Sequence, residues 1–195
     1  MNQTASELTK QQMRENLQEI IKTKSFSTGA PITLASGNTS THYFNMKPSM
    51  LDPEGSFLIA SMMLDVIETF GQKFDFLGGL ELGAVPIASA IAPVSHLRST
   101  PINTFLIRKK PKDHGTESLI EGLQKGETFK GKNIIIVEDV TTTGGSALKA
   151  IKAVRGDGAI VDHVITIVDR EEGAEEAFAA EGLKLSSLFK KSDFI

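Results

Sequence analysis

Short apolar runs alternate along the chain with longer segments whose apolar residues recur at helical spacing. The predicted strands are DFLGGL, INTFLIR, NIIIVED and VDHVITIVD. The predicted helices among them are VPIASAIAPVSHL, SALKAIKAVR and EGAEEAFAAEG, the last two ending at Gly156 and Gly182. Near-continuous apolar strands that alternate with helices favour an α/β fold, with a parallel sheet covered on both faces.

Two further helices are predicted nearer the start of the chain. Thr4 and Glu7 form a candidate capping box for the first helix. The second begins after the N-cap Asp52 with Pro53 at its first position, and Gly71 can end it. The residues on the apolar face of the first helix are Met13, Leu17, Ile20 and Ile21.

Residues 25–46 have a different character, because glycine, proline and asparagine punctuate short β-like pieces. They predict a hairpin-like hood. Residues 109–131 form a long polar stretch without periodicity, which is typical of a functional or disordered loop. The length predicts one domain over residues 1–195, with the hood at roughly 25–50 and the core at 51–195.

Composition excludes several classes of function. The chain has no cysteine, so disulfides and thiolate metal sites are excluded and a reducing cytoplasm fits. A net charge of −3 provides no basic field for nucleic acid or an acidic membrane. The polar N-terminus lacks a signal-peptide core, and no apolar run approaches the ~20 residues that span a bilayer. We therefore expect a soluble cytoplasmic protein with no nucleic-acid or membrane partner.

The strand NIIIVED runs directly into a turn of threonine and glycine, VTTTGGS. Glu138 and Asp139 end the strand, and their carboxylates can accept hydrogen bonds from ribose hydroxyls. The turn can wrap a phosphate with backbone N–H groups and hydroxyls at the positive end of the next helix. The alternative is an ordinary turn in which Thr143 or Ser146 caps that helix. The order of acids, threonines and glycines favours a site for a phosphorylated ribose.

This order resembles the phosphoribosyl-diphosphate motif of type I phosphoribosyltransferases. The resemblance implies that Glu138 and Asp139 bind the ribose 2- and 3-hydroxyls, that Asp139 is catalytic, and that residues 141–146 hold the 5-phosphate. It also implies a mostly parallel central sheet flanked by helices, with a small N-terminal hood. The residues assigned to phosphoribosyl diphosphate here are Glu138, Asp139, Val140, Thr141, Thr142, Thr143, Gly144, Gly145 and Ser146.

The segment FLIRKKPKDHGT, residues 105–116, resembles the mobile catalytic loop of orotate phosphoribosyltransferases. In such a loop, cations stabilise the departing diphosphate and closure excludes water. A solvated basic run is the alternative interpretation. The residues that match in type and spacing are Arg108, Lys109, Lys112, Asp113, His114 and Gly115. The resemblance assigns Arg108, Lys109, Lys112 and His114 to phosphoribosyl-diphosphate binding, and Lys112 and His114 also to catalysis.

Other segments resemble the same family. Arg170 in IVDREEG corresponds to the arginine that binds orotate, for which a planar guanidinium is well suited, and Thr142 corresponds to a second orotate contact. Residues 77–90 resemble the diphosphate loop and residues 33–50 the hood. The aromatic residues that could cover the base, or equally belong to the core, are Tyr43 and Phe44.

The chain departs from the family in the hood, where many members have a lysine and further basic residues, and in the diphosphate loop, where some have a lysine. Ala35 stands in the hood and Gly83 in the diphosphate loop. These departures remove a share of the diphosphate contacts that the family uses, and they leave the reaction class unchanged.

The resemblance implies conversion of orotate and phosphoribosyl diphosphate to orotidine 5-monophosphate and diphosphate, in pyrimidine biosynthesis. Mg²⁺ is the expected cofactor, held mainly through the substrate, so no residue is assigned as a metal ligand. A homodimer that shares the catalytic loop between subunits is also implied. The alternatives are a phosphoribosyltransferase for uracil or a purine, and a regulator that senses phosphoribosyl diphosphate. A helix-turn-helix module does not fit the one helix predicted before the hood.

Overall fold

A six-stranded sheet forms the centre of the molecule, in a computed structural model that describes residues 8–33, 39–110 and 119–195. The strand order is β5-β4-β3-β6-β7-β8, and all neighbours pair parallel except the antiparallel β4 and β5. The strands are β3 (Phe76–Leu80), β4 (Asn103–Ile107), β5 (Ile120–Glu121), β6 (Asn133–Thr141), β7 (Ile160–Asp169) and β8 (Lys184–Lys190). The mostly parallel sheet predicted from the sequence is confirmed.

Helices cover both faces of this sheet. They are α1 (Lys10–Lys24), α2 (Lys47–Met50), α3 (Pro53–Thr69), α4 (Ala84–Leu97), α5 (Gly145–Gly156) and α6 (Ala174–Ala180), followed by a 3-10 helix at Lys191–Asp193. Along β6, Ile135 and Val137 join the core on the side of α1, α3 and α4, whereas Ile134 and Ile136 join the core on the side of α5 and α6. Because β6 buries both faces, its sequence is continuously apolar.

Three helix ends test the cap predictions. Asp52 caps α3 by accepting a hydrogen bond from the Gly55 N–H at 2.9 Å, as predicted. The start predicted for the first helix is wrong: α1 begins after Thr9, which forms a reciprocal capping box with Gln12. Thr4 and Glu7 lie outside the described residues. Gly156 is the last residue of α5 rather than its cap.

The sequence pattern missed several short elements. It predicted no strand at β8, because Ser186 and Ser187 interrupt its apolar residues; pairing with β7 nevertheless buries Leu188 and Phe189. The polar stretch 109–131 contains β5, which pairs with β4. β6 extends two residues past the predicted end, through Thr141, because its pairing with β7 continues to Asp169.

An antiparallel pair, β1 (Phe26–Thr33) and β2 (Thr39–Phe44), forms the hood. An aromatic cluster attaches it to the core. Phe194 lies 5.7 Å from Phe26, 5.3 Å from Phe44 and 5.6 Å from Phe189, measured between ring centroids. Phe44 is therefore a core residue, whereas Tyr43 is 43% exposed. No helix in the described ranges is long and apolar enough to cross a membrane.

Candidate active site

Glu138 lies at the carboxyl end of β6, behind a run of fully buried residues. Its side chain is only 5% exposed, and its Oε1 atom has no hydrogen-bond partner in the described structure. Burial, followed by the neighbouring charge of Asp139, raises the pKa of Glu138 to about 8, and the Lys109 ammonium partly opposes this rise. A buried acceptor without a partner is costly, so this carboxyl is suited to binding a ligand.

Asp139 contacts both sides of the site. Its Oδ1 accepts a hydrogen bond from the Val140 N–H at 2.9 Å. The same oxygen lies against Gly83, where an added Cβ would come within 2.4 Å of it. Glycine at position 83 therefore permits close approach between the β6 carboxylate and the turn after β3. A lysine at this position, as in some family members, would not fit beside this arrangement of Asp139.

The turn from β6 into α5 forms a small cavity. Gly144 is the N-cap of α5 in the left-handed conformation, at φ +80°, and a Cβ there would meet the Phe178 ring at 2.9 Å. The buried Thr141 Oγ1 has no hydrogen-bond partner in the described part of the chain. The residues lining the cavity are Glu138, Val140, Thr141, Thr142, Gly144, Gly145, Ser146 and Ala147.

The first amides of α5 have no side-chain cap. The alternative in which Thr143 or Ser146 caps this helix is therefore wrong, because Gly144 occupies the N-cap position and no side-chain cap hydrogen bond is present. Uncapped N–H groups at the positive end of a helix, beside a cavity, can bind a phosphate. Thr143 is exposed and does not line the cavity.

Arg170 follows β7 and is 2% exposed. Its backbone N–H donates to the Thr141 carbonyl at 2.9 Å, which places it beside the turn from β6 into α5. Its Nη2 atom donates to the His42 carbonyl of the hood at 3.2 Å and lies 2.9 Å from Glu172 Oε1. Arg170 thus lies where β6, β7 and the hood meet, with its guanidinium between the hood and Glu172.

Arg108 and Lys109 occupy the start of the segment predicted to be the catalytic loop. Arg108 pairs with Glu121 at 3.8 Å, and its backbone N–H donates to the Leu119 carbonyl at 2.8 Å. The Lys109 N–H donates to Glu81 Oε1 at 2.8 Å, which ties this segment to the turn after β3. Lys112, Asp113, His114, Gly115 and Ala35 lie outside the described residues, so the assignments of Lys112 and His114 stay predictions.

Glu81 and Glu172 are two positions that sequence analysis did not single out. Both are acids within segments that it did identify, LGGLELG and IVDREEG. Glu81 accepts from the Lys109 N–H, 28 positions away, whereas Glu172 pairs with Arg170, two positions before it in the same corner. No group of three or more histidine and acidic side chains among the described residues could hold a metal ion. Glu138 and Asp139 are the adjacent carboxylates at this site.

A larger groove, of about 840 Å³, lies at the other end of the strands, beside the amino ends of β7 and β8. His163 lines it, but its ring stacks on Phe70 at 4.1 Å and contacts Phe74 edge-on at 5.8 Å. This histidine belongs to an aromatic cluster, as expected for a structural residue.

Comparison with known proteins identifies the family to which the chain belongs. The model of the phosphoribosyl transferase domain matches residues 49–186. Orotate phosphoribosyltransferase from Rhodopseudomonas palustris is 54% identical over 188 residues, covering 96% of this chain and 99% of the relative. The enzyme of the same name from Aquifex aeolicus is 45% identical over 93% of this chain and 97% of its own length.

A solved structure agrees with these relatives. The crystal structure of Mycobacterium tuberculosis orotate phosphoribosyltransferase, in complex with 5-phospho-alpha-D-ribosyl 1-diphosphate, superposes with a TM-score of 0.74 at 35% identity. The match covers 93% of this chain and 98% of that chain. The chain therefore belongs to the phosphoribosyl transferase family, among its orotate phosphoribosyltransferases.

Proposed function

We propose that this protein transfers the phosphoribosyl group from phosphoribosyl diphosphate to orotate, at the site formed by the ends of β6 and β7. The observation that carries this proposal is the position of Arg170. Its guanidinium is buried, and its backbone N–H donates to the carbonyl of Thr141, in the turn from β6 into α5 that we propose binds the phosphate. A carboxylated planar base bound there would lie next to a ribose phosphate bound at α5.

Ribose and phosphate binding is supported by the acids and the uncapped helix. Glu138 and Asp139 would accept hydrogen bonds from the ribose hydroxyls. The N–H groups of Gly144, Gly145 and Ser146, together with the hydroxyls of Thr141 and Thr142, would surround the 5-phosphate. Val140 and Thr143 complete this segment, and exposed Thr143 is the member least supported by the geometry.

Orotate would bind between Arg170 and Thr142. The guanidinium suits the base carboxylate because it offers two parallel N–H donors. In the transfer, the C1–O bond to diphosphate breaks with its electron pair leaving on oxygen. The N1–C1 bond forms as the N1 proton of orotate passes to the departing diphosphate. The reacting ribose develops oxocarbenium character, and Asp139 contributes negative charge beside it.

Diphosphate departure would be stabilised by the basic segment. Arg108 and Lys109 lie at its start, and Lys109 is close enough to lower the pKa of Glu138. We assign Lys112 and His114 to the same task as catalytic residues of the loop. Mg²⁺, when bound, would neutralise charge on the diphosphate and would be held mainly through the substrate, near the Glu138 and Asp139 carboxyls but with no residue assigned as its ligand.

We also propose a homodimer in which the loop of one subunit serves the site of the other, within a single-domain chain that functions in the cytoplasm. A mixing experiment tests loop sharing. Lys112→Ala and Asp139→Ala chains, each strongly impaired alone but with measurable residual activity, should regain activity when mixed, because one site per heterodimer would be intact. Absence of any recovery, with heterodimers verified by tagged pull-down, would argue against a shared site.

The transfer itself is tested with magnesium, phosphoribosyl diphosphate and one base at a time, following base absorbance. Orotate should be consumed, and uracil and hypoxanthine should not. Turnover of uracil or hypoxanthine, but not of orotate, would favour a phosphoribosyltransferase for another base. Binding of phosphoribosyl diphosphate with no turnover of any base would favour a regulator.

A further inference from the structure

Two adjacent glutamates follow Arg170 and take different directions. Glu171 has a left-handed backbone, at φ +58°, and its N–H donates to Asp169 Oδ1 at 2.9 Å. Its carboxylate accepts a hydrogen bond from the Ser192 N–H at 3.0 Å. Glu171 thus anchors the corner after β7 to the 3-10 helix, while Glu172 turns back toward the site.

Glu172 is paired with Arg170 away from solvent. The distance from Arg170 Nη2 to Glu172 Oε1 is 2.9 Å, and the side chains are 3% and 19% exposed. The second oxygen, Glu172 Oε2, is buried and has no hydrogen-bond partner among the described residues. Since a buried pair of charges is costly to desolvate, it is weak evidence for a role in stability. A role in orienting the guanidinium is a physical alternative.

The orientation of Arg170 is defined by this contact. Nη2 has two acceptors, the Glu172 carboxylate and the His42 carbonyl, which come from different elements. Two acceptors at one nitrogen fix the direction of the planar guanidinium. Recognition of a carboxylate by two parallel N–H bonds depends on that plane.

We propose that Glu172 is a positioning residue, whose carboxylate holds the Arg170 guanidinium in the orientation that orotate binding requires. The inference rests on the proposed function, because orotate is the ligand it concerns. Glu172 acts through Arg170 and touches no reacting atom. Its loss should therefore affect orotate binding and leave binding of phosphoribosyl diphosphate unchanged.

Steady-state kinetics of three variants test this role. Glu172→Ala should raise the KM for orotate roughly 10- to 100-fold through misplacement of Arg170. Its KM for phosphoribosyl diphosphate should stay within about twofold of the wild-type value, since the β6 turn is untouched. Glu172→Gln keeps an oxygen acceptor for Nη2 and should recover most of the orotate affinity. Glu172→Asp keeps the negative charge on a side chain one methylene shorter, which moves the carboxylate away from Arg170 and should also raise the KM for orotate.

Glu171→Ala is the matched control, because it removes a neighbouring carboxylate that contacts Ser192 instead of Arg170. It should leave the orotate KM unchanged even where it lowers the melting temperature. Equal changes in both KM values, or an unchanged orotate KM in Glu172→Ala, would overturn the proposal. If Glu172→Ala does not fold, an unchanged orotate KM in Glu172→Asp would overturn it. Wild-type protein that fails to turn over orotate would instead refute the proposed function.

Discussion

Replacement of Gly83 by alanine isolates one contact at the site. Gly83 has φ −59° and ψ −43°, which alanine adopts without strain, so the backbone does not oppose the change. The added Cβ would lie 2.4 Å from Asp139 Oδ1 and 2.8 Å from its Cγ. Both distances are well below van der Waals contact, so the carboxylate must move by more than half an ångström.

The displacement should cost activity more than stability. Asp139 is half-buried and its carboxylate can rotate, so the fold should lose only its hydrogen bond to Val140, about 1 kcal/mol. Misplacement of a substrate-positioning group by about 1 Å costs roughly 10²-fold in rate, and ribose binding is the role that we propose for Asp139. We therefore expect kcat/KM for phosphoribosyl diphosphate to fall about 100-fold, with a melting temperature close to that of the wild type.

The assay is orotate consumption at varied phosphoribosyl diphosphate, with thermal unfolding of the same preparations. Gly156→Ala is the control and should keep wild-type kinetics, because no neighbouring heavy atom of the described residues lies within 4 Å of the added Cβ. In an Asp139→Ala background, Gly83→Ala should add no further loss, since the two residues act as a pair. Wild-type kcat/KM in Gly83→Ala, or full additivity in the double variant, would refute the reasoning.

Three more predictions concern Glu138, Gly144 and Phe194. The pKa of Glu138 is raised from 4.5 to about 8, so between these pH values the folded protein keeps a proton that the unfolded chain releases. The free energy of unfolding of the wild type, relative to that of Glu138→Gln, should therefore fall as pH rises from about 4.5 to 8 and then level off. Chemical denaturation at several pH values measures this, and a pH-independent difference would contradict it. Gly144→Ala should weaken the binding of phosphoribosyl diphosphate, measured by calorimetry, because Gly144 has φ +80° and the added Cβ would lie 2.9 Å from the Phe178 ring. Unchanged affinity would contradict the proposed role of this turn in phosphate binding. Phe194→Ala should lower the free energy of unfolding by about 3 kcal/mol; equal urea midpoints would mean that the aromatic cluster does not hold the hood.

The sheet and the turn from β6 into α5 were predictable because their signals are local. Four consecutive apolar residues indicate that β6 is buried, and the acids, threonines and glycines follow them in the same stretch of chain. Asp52 and Pro53 likewise define the start of α3 within two positions. Such features need no knowledge of distant partners.

Features that depend on distant partners were not predictable. Arg170 contacts His42, 128 positions away in the chain, and no pattern in IVDREEG indicates this. Which of two adjacent glutamates turns toward the arginine follows from the left-handed backbone at Glu171. β8 has no clear period, and its burial comes from pairing with β7. The start of α1 was misplaced because several polar residues near it could serve as caps, and the contact with Gln12 selects Thr9.

The central claim, that Arg170 reads the orotate base within the site built on β6, is tested most directly by Arg170→Lys. Lysine keeps the positive charge and removes the two parallel donors, so the KM for orotate should rise roughly 10- to 100-fold. The KM for phosphoribosyl diphosphate should stay near the wild-type value. An unchanged orotate KM in this variant, with wild-type turnover verified alongside, would contradict the account.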